Sequence, residues 1–115
     1  LIGGPTVEHR RSDRRYDRRV PIDFSHDGNS YSSHTRNISL GGVFIDTEQT
    51  LPFGAKVSLR FKVPTQTEII EVEGQVRWLE MDDGRLRGLG VRFEGLRARD
   101  VWALNKFFEK PLEEK

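Results

Sequence analysis

The stretch KVSLRFKV, residues 56–63, alternates without a fault. Val57, Leu59, Phe61 and Val63 fall on one side, and Lys56, Ser58, Arg60 and Lys62 on the other. Successive side chains of a strand point to opposite faces, so a period of two predicts a strand with one face in a core and one in water. Antiparallel sheets accept that arrangement, whereas parallel sheets are usually covered on both faces. Working outward, IIEVEGQVRWLE (69–80) places Ile70, Val72, Gly74, Val76 and Trp78 in step, with Gly74 expected to mark a bulge. MDDGR (81–85) is a hairpin tip, Asp82 and Asp83 included, and LRGLGVRFEGL (86–96) returns with Leu89, Val91 and Phe93. Upstream, VPIDF (20–24) alternates, and Pro21 suits an edge or the first position of a strand. Asp27-Gly28 centres a turn, SYSSHTRNI (30–38) is polar and extended, and GVFIDT (42–47) is a strand. LPFGA (51–55) is a loop.

At ARDVWALNKFFEK (98–110) the period becomes helical. Val101, Leu104 and Phe108 form the stripe, Trp102 and Phe107 pack beside it, and Pro111 ends the helix. Short strands at hairpin spacing followed by one helix predict an all-β fold, a small antiparallel β-barrel with a C-terminal α-helix over an end or a face. Residues 1–12 combine Gly, Pro and charge without an apolar period and are expected to be a flexible arm. Residues 13–110 are the domain, and 111–115 a tail.

The chain has 115 residues, which suits one small domain, and 35% of them are apolar. No apolar run approaches a membrane span, and the start is not expected to act as a signal peptide. Without Cys there is neither a disulfide nor thiolate chemistry, which suits a cytoplasmic location. His9, His26 and His34 lack the spacing of a metal site. No nucleophile stands by a base and no carboxylate pair is suggestively placed, so no catalytic residue, metal or cofactor is assigned and the domain is not expected to be an enzyme.

Charge is unevenly spread. RRSDRRYDRR (10–19) carries six Arg and two Asp, a net of +4 in a chain of net +1, so the rest is mildly acidic. A general nucleic-acid binder spreads its basic groups over a face. Here they stand immediately before the first strand. A second unusual stretch is RNISLGGVFI (36–45). Asn37 and Ser39 lie two apart, on one side of an extended segment, and Gly41 and Gly42 follow. Amide, hydroxyl and missing side-chain bulk make a polar shelf with open space beside it.

Together the two stretches resemble the PilZ domain, the bacterial receptor module for cyclic di-GMP. Arg15 and Arg19 form RxxxR directly before the first strand, and Asn37, Ser39 and Gly42 form [D/N]xSxxG directly before GVFIDT. The likeness extends through KVSLRFKV, EVEGQVRW, GLGVRFEGL and the last helix, about residues 10–110. It implies a six-stranded antiparallel barrel with a C-terminal helix, and an arm that folds over a ligand on the barrel's outer surface. Arg10/Arg14, Arg11/Arg15 and Arg14/Arg18 also fit RxxxR, but only in Arg15/Arg19 does the second Arg abut the strand. Arg14 then precedes the motif, a position that in the family accompanies two ligand molecules per domain. Gly41 and Trp78, near the rim, are further candidates for ligand contact.

The chemistry is consistent with that ligand. Cyclic di-GMP presents two phosphodiesters and two guanines. A guanidinium pairs bidentately with phosphate, reads the O6/N7 edge of guanine and stacks on a purine. The run holds six Arg and no Lys, which favours planar recognition. Arg15 and Arg19 would stand about 13 Å apart if extended, or about 6 Å in a helical turn, and either spacing straddles a dinucleotide. An arm ordering over the barrel would then signal to a downstream protein. The alternatives are a barrel binding RNA or single-stranded DNA through its arm, with steep salt dependence, or a protein-interaction module that binds no nucleotide.

Overall fold

A computed structural model describes residues 14–109. The arm expected at 1–12, and the tail with Pro111, lie outside the described residues. The strands are β1 (Pro21–His26), β2 (Asn29–Ile38), β3 (Gly42–Asp46), β4 (Lys56–Phe61), β5 (Ile70–Asp82) and β6 (Arg85–Glu94), and helix α1 (Ala98–Glu109) follows. All pairings are antiparallel, and the strands close in the order β1-β2-β3-β6-β5-β4, with β1 against β4. Closure leaves no sheet edge, which the short, steeply alternating strands otherwise expose.

The alternation that predicts the barrel also fills it. Val57, Leu59, Phe61 and Val63 are all buried, together with Ile22, Phe24, Ile45, Ile70, Val72, Val76, Leu89 and Val91. Two hairpins close on Asp-Gly pairs with both residues at positive φ: Asp27 and Gly28 between β1 and β2, Asp83 and Gly84 between β5 and β6. That is the turn whose twist matches paired strands. Pro21 is the first residue of β1 and pairs only with β2, where its missing N–H costs nothing.

Three expectations change. Gly74 makes no bulge: it pairs regularly with Val57 and Phe93. A Cβ there would press on the Val91 side chain and the Arg92 carbonyl, so glycine answers a tight barrel interior. The bulge comes two residues later, between Val76 and Trp78, with Arg77 as the extra residue. It takes Trp78 out of step, and the ring stands 64% exposed instead of facing inward. In α1 the buried residues are Asp100, Ala103, Leu104 and Phe107. Val101 and Phe108 flank that stripe, and Trp102 is 57% exposed with Lys106 over its ring. The Asp100 carboxylate, buried at the start of α1, lies by Arg97 and Arg99 and accepts from Gln66 Nε2 at 3.0 Å, which ties the helix to the β4–β5 loop.

The arm segment 14–20 is bound along β2. Tyr16 and Ile38 exchange both backbone hydrogen bonds, at 2.9 and 3.0 Å. Buried Thr35 Oγ1 accepts from Val20 N at 2.9 Å and donates to Arg18 O at 2.7 Å. Thr35→Val keeps the shape and leaves two buried backbone groups without that partner. It is expected to lower stability by about 2 kcal/mol, measured as a fall in the denaturant midpoint at unchanged slope.

Candidate functional site

Two glycines on the outer face of β6 begin the site. Gly88 and Gly90 alternate with buried Leu89 and Val91, so they face outward. The Phe44 ring lies over Gly88, and Trp78 over Gly90, where a Cβ would stand 2.8 Å from the Trp78 Cβ. Two aromatic side chains thus stand on the outside of the barrel, each against a glycine. Around them is an open cavity of about 550 Å³, within the range of small-molecule sites.

The arm and the turn after β2 close its other side. Arg15, Asn37, Ser39, Gly41, Gly42 and Trp78 all line the cavity, so six of the eight sequence candidates converge there. Arg15 Nη1 donates to Asn37 Oδ1 at 2.9 Å, joining the two motifs directly. Arg19 and Arg14 are placed otherwise. Arg19 Nη1 pairs with Asp46 Oδ2 at 3.1 Å, outside the lining residues, and Arg14 lies over the Tyr16 ring, 5.2 Å from its centroid.

Asn37 and Ser39 are not two equivalent groups on one face. β2 ends at Ile38, and Ser39 is buried in the turn. Its Oγ accepts from the backbone N–H of Gly41 and of Gly42, each at 3.0 Å, while Ser39 N donates to Gly42 O at 2.8 Å. The hydroxyl therefore shapes the turn whose backbone rims the cavity. Gly42 serves the strands: a Cβ would run into the Val91 carbonyl oxygen of β6. What it clears is the approach of β3 to β6.

Sequence reasoning missed six lining residues, Arg36, Phe44, Arg77, Gly90, Val91 and Arg92. A bulge between Thr35 and Asn37 makes Arg36 the extra residue of β2. Its guanidinium lies over Phe44, 4.5 Å from the ring centroid. Nη1 donates to Glu80 Oε1 at 2.8 Å and Nε to Asp46 Oδ1 at 2.8 Å. The hydrogen bond that Arg36 donates to Glu80, opposed by burial and aided by Asp46, holds the Arg36 pKa above its ordinary value. Arg77 lies over the Phe53 ring. Among the described residues Arg92 makes no ion pair. The outward Gly-x-Gly of RGLGVRF was the signal available, since a strand surface without side chains there leaves room for rings from its neighbours. Four arginines and no acidic residue among the described lining residues give the cavity a positive lining, which suits an anion. Among the described residues no group of acidic, His or Cys side chains is arranged to hold a metal ion, and no helix is long and apolar enough to cross a membrane.

Comparison with known proteins bears on the same regions. The family model for the PilZ domain matches residues 8–110. No curated protein matches the chain. Among solved structures, the Bacillus subtilis inhibitor of motility MotI/DgrA is similar at 24% identity, with a TM-score of 0.69 over 81% of this chain and 46% of that one. The PlzA protein of Borreliella burgdorferi, in complex with c-di-GMP, is similar at 13% identity, with a TM-score of 0.61 over 94% of this chain and 46% of that one. The PilZ domain of CeSA from a cellulose-synthesizing bacterium is similar at 13% identity, with a TM-score of 0.58 over 84% of this chain and 95% of that one. The chain thus spans under half the length of the first and second of these proteins and nearly all of the third, and at such identities the likeness is one of fold. A family model covering nearly the whole domain, on a closed six-stranded antiparallel barrel with one C-terminal helix, leads to one conclusion: the chain belongs to the PilZ domain family.

Proposed function

We propose that this domain is a non-catalytic receptor for cyclic di-GMP. The observation that carries the reading is the convergence of Arg15, Asn37 and three further arginines on one cavity whose described lining residues include no carboxylate. Two phosphodiesters supply the anion, and two guanines supply flat faces for Trp78 and the guanidinium planes. Arg15 exchanges its bond to Asn37 for a ligand phosphate or a guanine edge, and Asn37 turns its amide to the ligand. Arg19 leaves Asp46 to close the clamp from the arm. Ser39 and Gly42 keep the rim in place. Arg14 beside Tyr16 is the group left for a second ligand molecule stacked on the first.

The arm has the right neighbours to report occupancy. Tyr16 stacks on Phe108, with ring centroids 4.1 Å apart, and Arg18 donates to the Phe107 and Phe108 carbonyls at the end of α1. A change in the arm's position alters the last turn of α1, the surface offered to a protein partner.

Trp78 makes the test direct. Titrating cyclic di-GMP into the domain should change tryptophan emission to saturation, and Trp78→Phe should remove the change while Trp102→Phe keeps it. GMP at the same concentration should not compete. No change in wild-type emission and free competition by GMP would oppose the reading.

The exposed Trp78 also favours a second reading, single-stranded nucleic acid stacking beside the arginines. That reading requires binding of oligonucleotides of any sequence, weakening steeply with salt.

A further inference from the structure

We infer that Arg36 is a base-stacking platform of the cavity, a flat cation that meets a guanine face to face instead of pairing with phosphate. The inference rests on the cyclic di-GMP reading above. Its basis is what remains available on the guanidinium. Two carboxylates hold the edge of the plane: Nη1 donates to Glu80 Oε1 at 2.8 Å and Nε to Asp46 Oδ1 at 2.8 Å, with Nη2 2.6 Å from the same oxygen. One face lies on Phe44. Phe44 leaves the second face uncovered, and Arg36 is one of the residues that line the cavity.

Such a group differs from Arg15. Arg15 has a single bond to a neutral amide and is free to turn its fork to a phosphate. Arg36 already has two carboxylates along its edge, so a phosphate would have to compete with anions in place. Its charge is largely neutralised locally, while its plane is fixed before any ligand arrives. A fixed plane over an aromatic ring continues a stack, and a purine is the next layer. The bulge at Thr35/Asn37 is what allows this. As the extra residue of β2, Arg36 has no cross-strand neighbour and lies along the sheet over Phe44 of β3. Asp46 fixes Arg36 through Oδ1 and holds Arg19 through Oδ2, so the platform and the second arm arginine share one anchor.

The test separates stacking from charge and from structural support. Cyclic di-GMP is titrated into the wild-type chain, Arg36→Lys and Arg36→Met at several salt concentrations, with the thermal midpoint of each variant measured alongside. A stacking platform predicts that both variants bind about tenfold more weakly, with the salt slope of wild type. A phosphate contact predicts that Arg36→Lys retains affinity and that Arg36→Met has a shallower salt slope, and this result overturns the inference. So does a lowered thermal midpoint with unchanged affinity, the mark of support alone. If wild type binds no cyclic di-GMP, the functional reading falls and this inference with it. If wild type binds and Arg36→Lys binds equally well, only this inference falls.

Discussion

Arg15→Ala is expected to weaken cyclic di-GMP binding by about 100-fold, or about 3 kcal/mol, as measured by calorimetry. Among the described residues Arg15 is the one arm arginine that lines the cavity and also touches the second motif, through Asn37. Its fork is engaged by one neutral acceptor, so redirecting it to a ligand costs little. Once the ligand covers it, the pairing is shielded from water, and its loss leaves an anionic oxygen poorly satisfied. Arg15→Lys restores charge without the planar fork and should recover only part of the loss. Arg19→Ala should also lower affinity, though less. Arg19 must give up Asp46 before it can bind, so part of what it gains on the ligand is offset by the ion pair it leaves.

The second large effect is on the fold. Gly42→Ala is expected to destabilise the domain by about 3 kcal/mol or more, seen as a fall in both the denaturant midpoint and the thermal midpoint. The added Cβ points at the Val91 carbonyl oxygen, and Gly42 pairs with Arg92 in the β3–β6 ladder. Neither atom is the end of a flexible side chain that can swing away. Relief requires β3 and β6 to part where the barrel closes around Ile45, Val43 and Leu89, all fully buried. The same shift would disturb the Ser39 turn, because Gly42 N donates to Ser39 Oγ. Gly41→Ala is the control: Gly41 lies at the cavity rim, before the β3–β6 ladder begins at Gly42, and its change should cost less stability.

What the sequence makes legible divides along one physical line. Wherever strict alternation sets the pattern, as from Val57 to Val63, side-chain direction was legible and the barrel followed. It stopped being legible at single extra residues. The bulge at Arg77 turned Trp78 outward, and the bulge at Arg36 laid that side chain across Phe44. A bulge is a decision of the paired strands, made by cross-strand packing, and no period in one strand announces it. Site residues divide in the same way. Arg15 and Asn37 were found because motif residues carry their chemistry in their own identity. Arg36, Arg77 and Arg92 are arginines of ordinary strands, and only the folded sheet gathers them. The pull of Asp46 on Arg19, across 27 residues, is likewise a product of the folded sheet, in which β2 carries the arm on one side and β3 on the other. In α1 the apolar stripe was displaced by one position, because Asp100 occupies a buried place that its charge argues against, held there by Arg97, Arg99 and Gln66.

The proposed occupant of the arginine-lined cavity on the outside of this barrel is cyclic di-GMP. Isothermal calorimetry of the wild-type chain with that ligand reports affinity and stoichiometry together. The expected result is saturable binding, half-complete below tens of micromolar, with a whole-number stoichiometry of one or two, and binding nearly lost in Arg15→Ala. An absence of saturable binding at tens of micromolar ligand, or Arg15→Ala binding as tightly as wild type, would contradict the claim.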